Sequence, residues 1–214
     1  MAYERKDRYY RKAKEQGLPS RASFKIEEII QKYHFVRPGN FVLDLGAAPG
    51  GWAVLLAKAV GPQGKVFALD LESLAKPPPA NVSFFQGDIR EEKTSTWLKE
   101  QLAGKKLDAV CSDMSPKLSG IFFKDAYIST ELAELALEMA RFWLKPGGHF
   151  VAKLFPGEEF PAYLKKVRAA FTSVKVVEPE ASRKTSREVY VLGLKRTGQE
   201  RNLEGSLPFI FAKS

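Results

Sequence analysis

The sequence predicts an α/β fold: an open, mostly parallel sheet of seven strands with helices on both faces. Strand-like and helix-like segments alternate along most of the 214 residues. Residues 41–52, FVLDLGAAPGGW, read as an apolar strand, a glycine-rich turn and the start of a helix. Three successive later strands each close on an aspartate, at the strand end or within two residues of it: Asp70, Asp88 and Asp113. In an open parallel sheet, ligands sit outside the carboxyl ends of the strands, so these acids line one rim beside the glycine turn.

The elements follow in order. Residues 1–21 are strongly basic, with Arg5, Lys6, Arg8, Arg11, Lys12, Lys14 and Arg21 interleaved with Tyr3, Tyr9 and Tyr10. Basic and aromatic residues together suit phosphate contact and base stacking, although a solvated helix has the same composition. The next helix spans about Arg21 to Tyr33, with Ser20 as its cap and Phe24, Ile26, Ile29 and Ile30 as its apolar positions. Pro38-Gly39 breaks the chain before the first strand, Phe41 to Leu45. Gly46, Gly50 and Gly51 then let backbone approach a ligand, and the helix from Trp52 to Val60 offers N–H donors at its start. The order GAAPGG lacks the middle glycine of a dinucleotide fingerprint and the Gly-Lys-Ser/Thr of a phosphate loop.

Lys65 to Leu71 is the second strand; Asp70 lies 19 residues past Gly51, a spacing that suits ribose hydroxyls. Val82 to Gln86 is the third strand, Glu91 to Ala103 a helix and Leu107 to Ser112 the fourth strand. Met114 to Lys124 reads as a loop. Asp125 to Leu144 is a long amphipathic helix whose stripe includes Leu132, Leu135, Ala136, Met139, Ala140 and Trp143. Lys145-Pro146-Gly147-Gly148 ends it. His149 to Phe155 is the fifth strand, and Lys153 within it stands out. Central parallel strands are covered on both faces, and lysine is almost never buried there without a partner. Glu158 to Phe171 is a helix, Val174 to Glu178 the sixth strand and Val189 to Leu194 the last. The basic run Arg183, Lys184 and Arg187 beside Glu188 suits a phosphate chain near the rim.

One domain is expected over residues 1–197, with a basic N-terminal helical segment to about residue 35 and an extension at 198–214. The net charge of +9 and pI near 9.5 point to a polyanionic partner. Cys111 is alone, which excludes an intramolecular disulfide and fits a reducing compartment. With only His34 and His149 beside it, no ordinary zinc site forms, and no metal is expected. The early charges exclude a secretory signal and no apolar run spans a membrane; the expectation is a cytoplasmic monomer.

Five segments give the chain a more specific likeness: SRASFKIEEI, DLGAAPGGW, QGD at Gln86 to Asp88, SDMSPKLSG, and VAKLF followed by SRKTSREVYV. In order and spacing they resemble the FtsJ-type ribosomal RNA ribose 2′-O-methyltransferases of the class I S-adenosylmethionine-dependent superfamily. The resemblance runs from about Tyr9 to Lys195 and implies a Rossmann-like sheet whose last strand is antiparallel. It implies a catalytic set of Lys25, Asp113, Lys153 and Glu188. It implies cofactor contacts at Gly50, Trp52, Asp70, Asp88 and Asp113, together with Gly46, Ala47, Pro49, Gly51, Leu71 and Ile89 beside them. The cofactor would be S-adenosylmethionine, leaving S-adenosylhomocysteine. The substrate would be a uridine ribose of large-subunit ribosomal RNA in the ribosomal particle, bound in part by Arg5, Arg8, Arg11, Lys12, Arg21, Arg183, Lys184 and Arg187. Lys117 stands where the family usually has asparagine, and the segment after Thr197 has no family counterpart.

Chemistry agrees with that likeness. A ribose hydroxyl is a poor nucleophile; it must be held in line and must lose its proton. A lysine is a base when burial and a like charge depress its pKa, whereas nearby carboxylates act the other way. Lys153 is therefore either the proton acceptor or the group that steers the hydroxyl. A transfer RNA methyltransferase would share these motifs, and a non-catalytic assembly factor would share the charge.

Overall fold

The computed structural model describes residues 23–182 and 187–198. The N-terminal basic residues Arg5, Arg8, Arg11, Lys12 and Arg21, the loop residues Arg183 and Lys184, and the chain after Gly198 lie outside those residues. Seven strands form one sheet: β1 (Phe41–Leu45), β2 (Lys65–Asp70), β3 (Val82–Gln86), β4 (Leu107–Ser112), β5 (Leu144–Leu154), β6 (Phe171–Val177) and β7 (Val189–Arg196). Their order is β3-β2-β1-β4-β5-β7-β6. β7 runs antiparallel to both of its neighbours, and the other pairs are parallel. The expected mixed sheet is therefore present.

Among the described residues, five helices cover it: α1 (Ser23–Tyr33), α2 (Gly51–Val60), α3 (Glu92–Leu102), α4 (Phe122–Trp143) and α5 (Phe160–Ala170). Strand side chains alternate between faces, so each strand feeds two cores. Val42, Val66, Ala109, Val151 and Leu192 meet α1 and α2 through Ile26, Ile29, Leu56 and Val60. Leu43, Phe67, Val110 and Phe150 meet α3, α4 and α5 through Leu98, Ala136, Met139 and Tyr163. The sheet is thus buried on both sides, which explains the nearly continuous apolar runs of its central strands.

Element boundaries moved for identifiable reasons. α4 begins at Phe122 rather than Asp125. Asp125 is buried within the first turns, where its Oδ1 accepts hydrogen bonds from the Ser119 N–H (2.9 Å) and hydroxyl (2.7 Å). It pins the preceding loop rather than opening the helix. β5 begins at Leu144, not His149, because Leu144 is buried and pairs back with Leu107 across a register shift. Lys145, Pro146 and Gly147 bow outward there, with Gly147 at φ +78° and Lys145 paired to Asp108. β6 begins at Phe171, whose ring stacks on Phe150 at 5.8 Å and lies across Gly193.

Candidate active site

The rim is built by the loops leaving β1, β2, β3 and β4. The glycine loop is tied to β2: Gly46 and Ala47 N–H groups donate to the Leu69 carbonyl at 3.0 and 3.2 Å. Asp70 finishes the job. Its two carboxylate oxygens accept from the Ala48 N–H (2.8 Å) and the Glu72 N–H (2.9 Å). Each oxygen keeps a lone pair, so Asp70 holds the loop and still has acceptor capacity for a ligand. Gly46, at φ +75°, is where this loop meets the next one: a Cβ there would lie 2.7 Å from the Met114 backbone nitrogen.

Between these loops lies a cleft of about 140 Å³. Gly46, Asp70, Leu71, Asp88, Ile89, Met114, Ser115 and Leu132 are among its lining residues. Leu71, Ile89, Met114 and Leu132 offer apolar walls; Asp70 and Asp88 offer acceptors, a combination suited to a flat heterocycle joined to a polyol. One oxygen of Asp88 is engaged by Arg90, through its N–H (2.9 Å) and Nε (3.0 Å). Other parts of the glycine loop face elsewhere. Pro49 and Gly50 border a second depression against residues 74–79, Ala47 is buried, and Gly51 opens α2. The Trp52 ring is also buried, 5.8 Å from the Tyr190 ring.

Next to the cleft stands a chain of charged side chains. Lys153, only 8% exposed, donates from Nζ to the Asp113 backbone carbonyl at 2.7 Å and to its Oδ1 at 3.0 Å. The Tyr190 hydroxyl donates to the same Oδ1 at 3.1 Å. Lys25, on α1, pairs with Glu188, whose carboxylate also accepts from the Ser182 hydroxyl at 3.2 Å. Burial alone would raise the Glu188 pKa, but the Lys25 charge and hydrogen bond, the Lys153 charge and Ser182 together hold it below the usual range. Four residues separated by up to 163 positions thus form two adjacent ion pairs. Arg187 is exposed and lies over the Phe122 ring, 4.6 Å from its centroid.

The FtsJ-like methyltransferase model matches residues 18–196 of the chain. The chain belongs to the FtsJ-like methyltransferase family. It is 45% identical over 195 residues to "Ribosomal RNA large subunit methyltransferase E" of Syntrophobacter fumaroxidans, which covers 91% of this chain and 98% of that one. The namesake in Chromobacterium violaceum is 46% identical over 187 residues, covering 87% and 90%. Among solved structures, a Plasmodium falciparum protein provisionally named a ribosomal RNA methyltransferase superposes with a TM-score of 0.76 at 26% identity, covering 84% of this chain and 99% of that one.

Three features of this FtsJ-like domain escaped sequence reading. Met114, Ser115 and Leu132 line the cleft, although Leu132 reads as part of the α4 core stripe. Tyr190 reads as a strand core residue and is one, yet its hydroxyl reaches Asp113. Asp44 is the third. It is fully buried on β1 between Ala68 and Cys111, and neither carboxylate oxygen has a hydrogen-bond partner among the described residues. Burial first, then the neighbouring Asp113 and Asp70 charges, raise its pKa well above the ordinary carboxylate value. The break it makes in FVLDL was visible; its isolation depends on the fold.

The Asp44 environment has a measurable consequence. A carboxyl whose folded pKa is raised costs nothing below its unfolded pKa, and weakens the fold as pH climbs towards the folded value. Asp44→Asn removes that titration. Its stability relative to the unaltered protein is expected to improve steadily as pH rises above the ordinary carboxylate range. Paired thermal melts without cofactor from pH 4 upward check this; a difference that stays constant with pH means that Asp44 carries no raised pKa.

Proposed function

We propose that this FtsJ-like methyltransferase moves a methyl group from S-adenosylmethionine to a ribose 2′-hydroxyl of large-subunit ribosomal RNA. The observation that carries the reading is the Lys153–Asp113 contact beside the Lys25–Glu188 pair, at the edge of the glycine-loop cleft. The names of the relatives support the RNA class.

The residues present fit the cofactor. Asp70 and Asp88 line the cleft and Asp113 adjoins it, so acidic charge gathers beside the glycine loop. Such an acidic pocket suits a ligand carrying a sulfonium and an ammonium. Asp70 would take the ribose hydroxyls and the free oxygen of Asp88 the adenine amino group. Leu71, Ile89, Met114 and Leu132 would enclose the ring. When bound, S-adenosylmethionine supplies an electrophilic methyl on sulfur.

The chain's own groups do the rest. Asp113 accepts two hydrogen bonds from Lys153 Nζ. Once it has released one proton, the Lys153 amine would have two hydrogens for those oxygens and one lone pair left over. That lone pair holds the ribose hydroxyl in line and takes its proton as the carbon–oxygen bond forms. The ammonium so produced lies between Asp113 and Glu188, which balance its charge. Tyr190 keeps Asp113 oriented towards Lys153. Lys25 keeps Glu188 ionised.

Asp88→Ala is expected to weaken S-adenosylmethionine binding by about 1–3 kcal/mol, the cost of a lost buried acceptor; unchanged calorimetric affinity removes Asp88 from the site. RNA binding is expected to fall steeply with salt, since phosphate contacts release counterions. Replacing Arg5, Lys6, Arg8, Arg11 and Lys12 with glutamine should flatten that slope without changing cofactor affinity. A salt-independent affinity in the unaltered protein speaks against a nucleic-acid substrate. The reading itself is tested by incubating the protein with labelled S-adenosylmethionine and separated ribosomal RNA, transfer RNA and ribosomal particles. Label in large-subunit RNA is expected; label confined to transfer RNA moves the substrate, and no label in any RNA overturns it.

A further inference from the structure

The loop after Asp113 and the first turn of α4 carry an apolar surface that the chemistry above does not use. Phe123 is 81% exposed, Leu118 67% and Ile121 61%. Large side chains so exposed and so close together mark a contact surface. The surface is held firmly. Asp125 clamps Ser119 as described, Thr130 Oγ1 donates to the Ala126 carbonyl, and the Phe155 N–H donates to Ser129 Oγ at 3.1 Å, tying α4 to the end of β5 just past Lys153. Phe122 meets Phe123 edge to face at 5.9 Å and carries the Arg187 guanidinium on its ring; Arg187 adjoins Glu188 in sequence. The surface therefore reaches the ion pairs at its inner end.

Charge selects the partner. Lys117, Lys124 and Arg187 are exposed; Lys124 follows Phe123 in sequence and Arg187 lies over the Phe122 ring. Further along α4 the sign reverses: the Glu131, Glu159 and Glu134 charges act on Tyr127, whose hydroxyl donates to Glu131. A polyanion can lie along the Lys117–Phe123–Arg187 side and is turned away at Tyr127. Aromatic faces flanked by cations suit unpaired bases of a single strand, with the base on the ring and the phosphates on the cations.

We propose that Phe123 is a stacking platform for an unpaired base of the RNA strand next to the methylated nucleotide, with Lys117, Lys124 and Arg187 taking the adjoining phosphates. This rests on the RNA reading above. The platform fixes the strand so that the target ribose stays at Lys153, a role separate from cofactor binding.

The test uses Phe123→Ala, Phe123→Leu and Phe123→Trp in the full chain, with cofactor affinity measured as a folding control. Binding to protein-free large-subunit ribosomal RNA is expected to weaken roughly 5- to 150-fold in both the alanine and leucine variants, the range for one lost base stack. The tryptophan variant is expected to bind normally, and its added fluorescence to be quenched by RNA. Normal binding by Phe123→Leu, or no quenching in Phe123→Trp, overturns stacking. A loss seen with ribosomal particles but not with bare RNA makes the partner a protein and also overturns it. Methyl transfer by the unaltered protein is measured in parallel. If it is absent while quenching persists, the methyl-transfer reading fails and the platform stands; if all three variants bind and transfer normally, the platform fails and the reading stands.

Discussion

Lys153→Ala is expected to slow single-turnover methyl transfer by roughly 10²–10⁴-fold, the usual contribution of a positioned acid–base group. Cofactor affinity should barely change, because the cleft is lined by the loops after β1 to β4 and by Leu132, and not by Lys153. The fold should also survive. Asp113 would keep its backbone hydrogen bond to the Leu45 carbonyl (2.9 Å) and its partner Tyr190, so no carboxylate is left without a donor. Lys153→Arg should not restore the rate, since a guanidinium stays protonated and its planar fork cannot reproduce the two contacts to Asp113. Single-turnover transfer across a pH series, with circular dichroism as the control, checks all of this. Near-normal rates in both variants make Lys153 a structural lysine.

Gly46→Ala is the second large effect, and its cause is entirely steric. Gly46 sits at φ +75°, which L-residues adopt at a cost of roughly 1–2 kcal/mol. Its added Cβ would also meet Met114 backbone atoms at 2.7 and 2.8 Å, a contact no rotamer change relieves. The two loops that must separate are the one Asp70 holds and the one that begins with Asp113. The substitution therefore disturbs the cleft and the Lys153 partner together. A melting temperature lower by several degrees is expected, at roughly 2–4 °C per kcal/mol for a domain of this size. At least tenfold weaker cofactor binding should accompany it, where Lys153→Ala shows neither change. Calorimetry and thermal melts on both variants test the contrast. An alanine variant with normal affinity and stability would mean that the loops are not in contact in solution.

The parts of the site legible in the sequence are those where a polar residue breaks an apolar pattern. Lys153 in HFVAKLF and the aspartates at the ends of β2, β3 and β4 stand out for that reason, and the structure brings them to one rim. Lys25 and Glu188 do not stand out. Each sits in ordinary charged surroundings, and only the family likeness joined them across 163 positions. Tyr190 was hidden for a topological reason. β7 inserts between β5 and β6, so the strand that delivers its hydroxyl to Asp113 is out of sequence order in the sheet. Leu132 was hidden by helix geometry, because a residue at the edge of a buried stripe can face either core or cleft. The sheet was read correctly because short apolar runs and the glycine breaks between them are local signals. The start of β5 was not, because Leu144 becomes a strand residue only by pairing with Leu107.

The most direct test of the account is the chemical position of the transferred methyl. Large-subunit ribosomal RNA labelled by the protein is hydrolysed in alkali, which needs a free 2′-hydroxyl to cleave the adjacent phosphodiester. The account predicts label in an alkali-resistant dinucleotide, at one site, absent when Lys153→Ala is used. Label released as a base-methylated mononucleotide, or label of the same yield from Lys153→Ala, would contradict it.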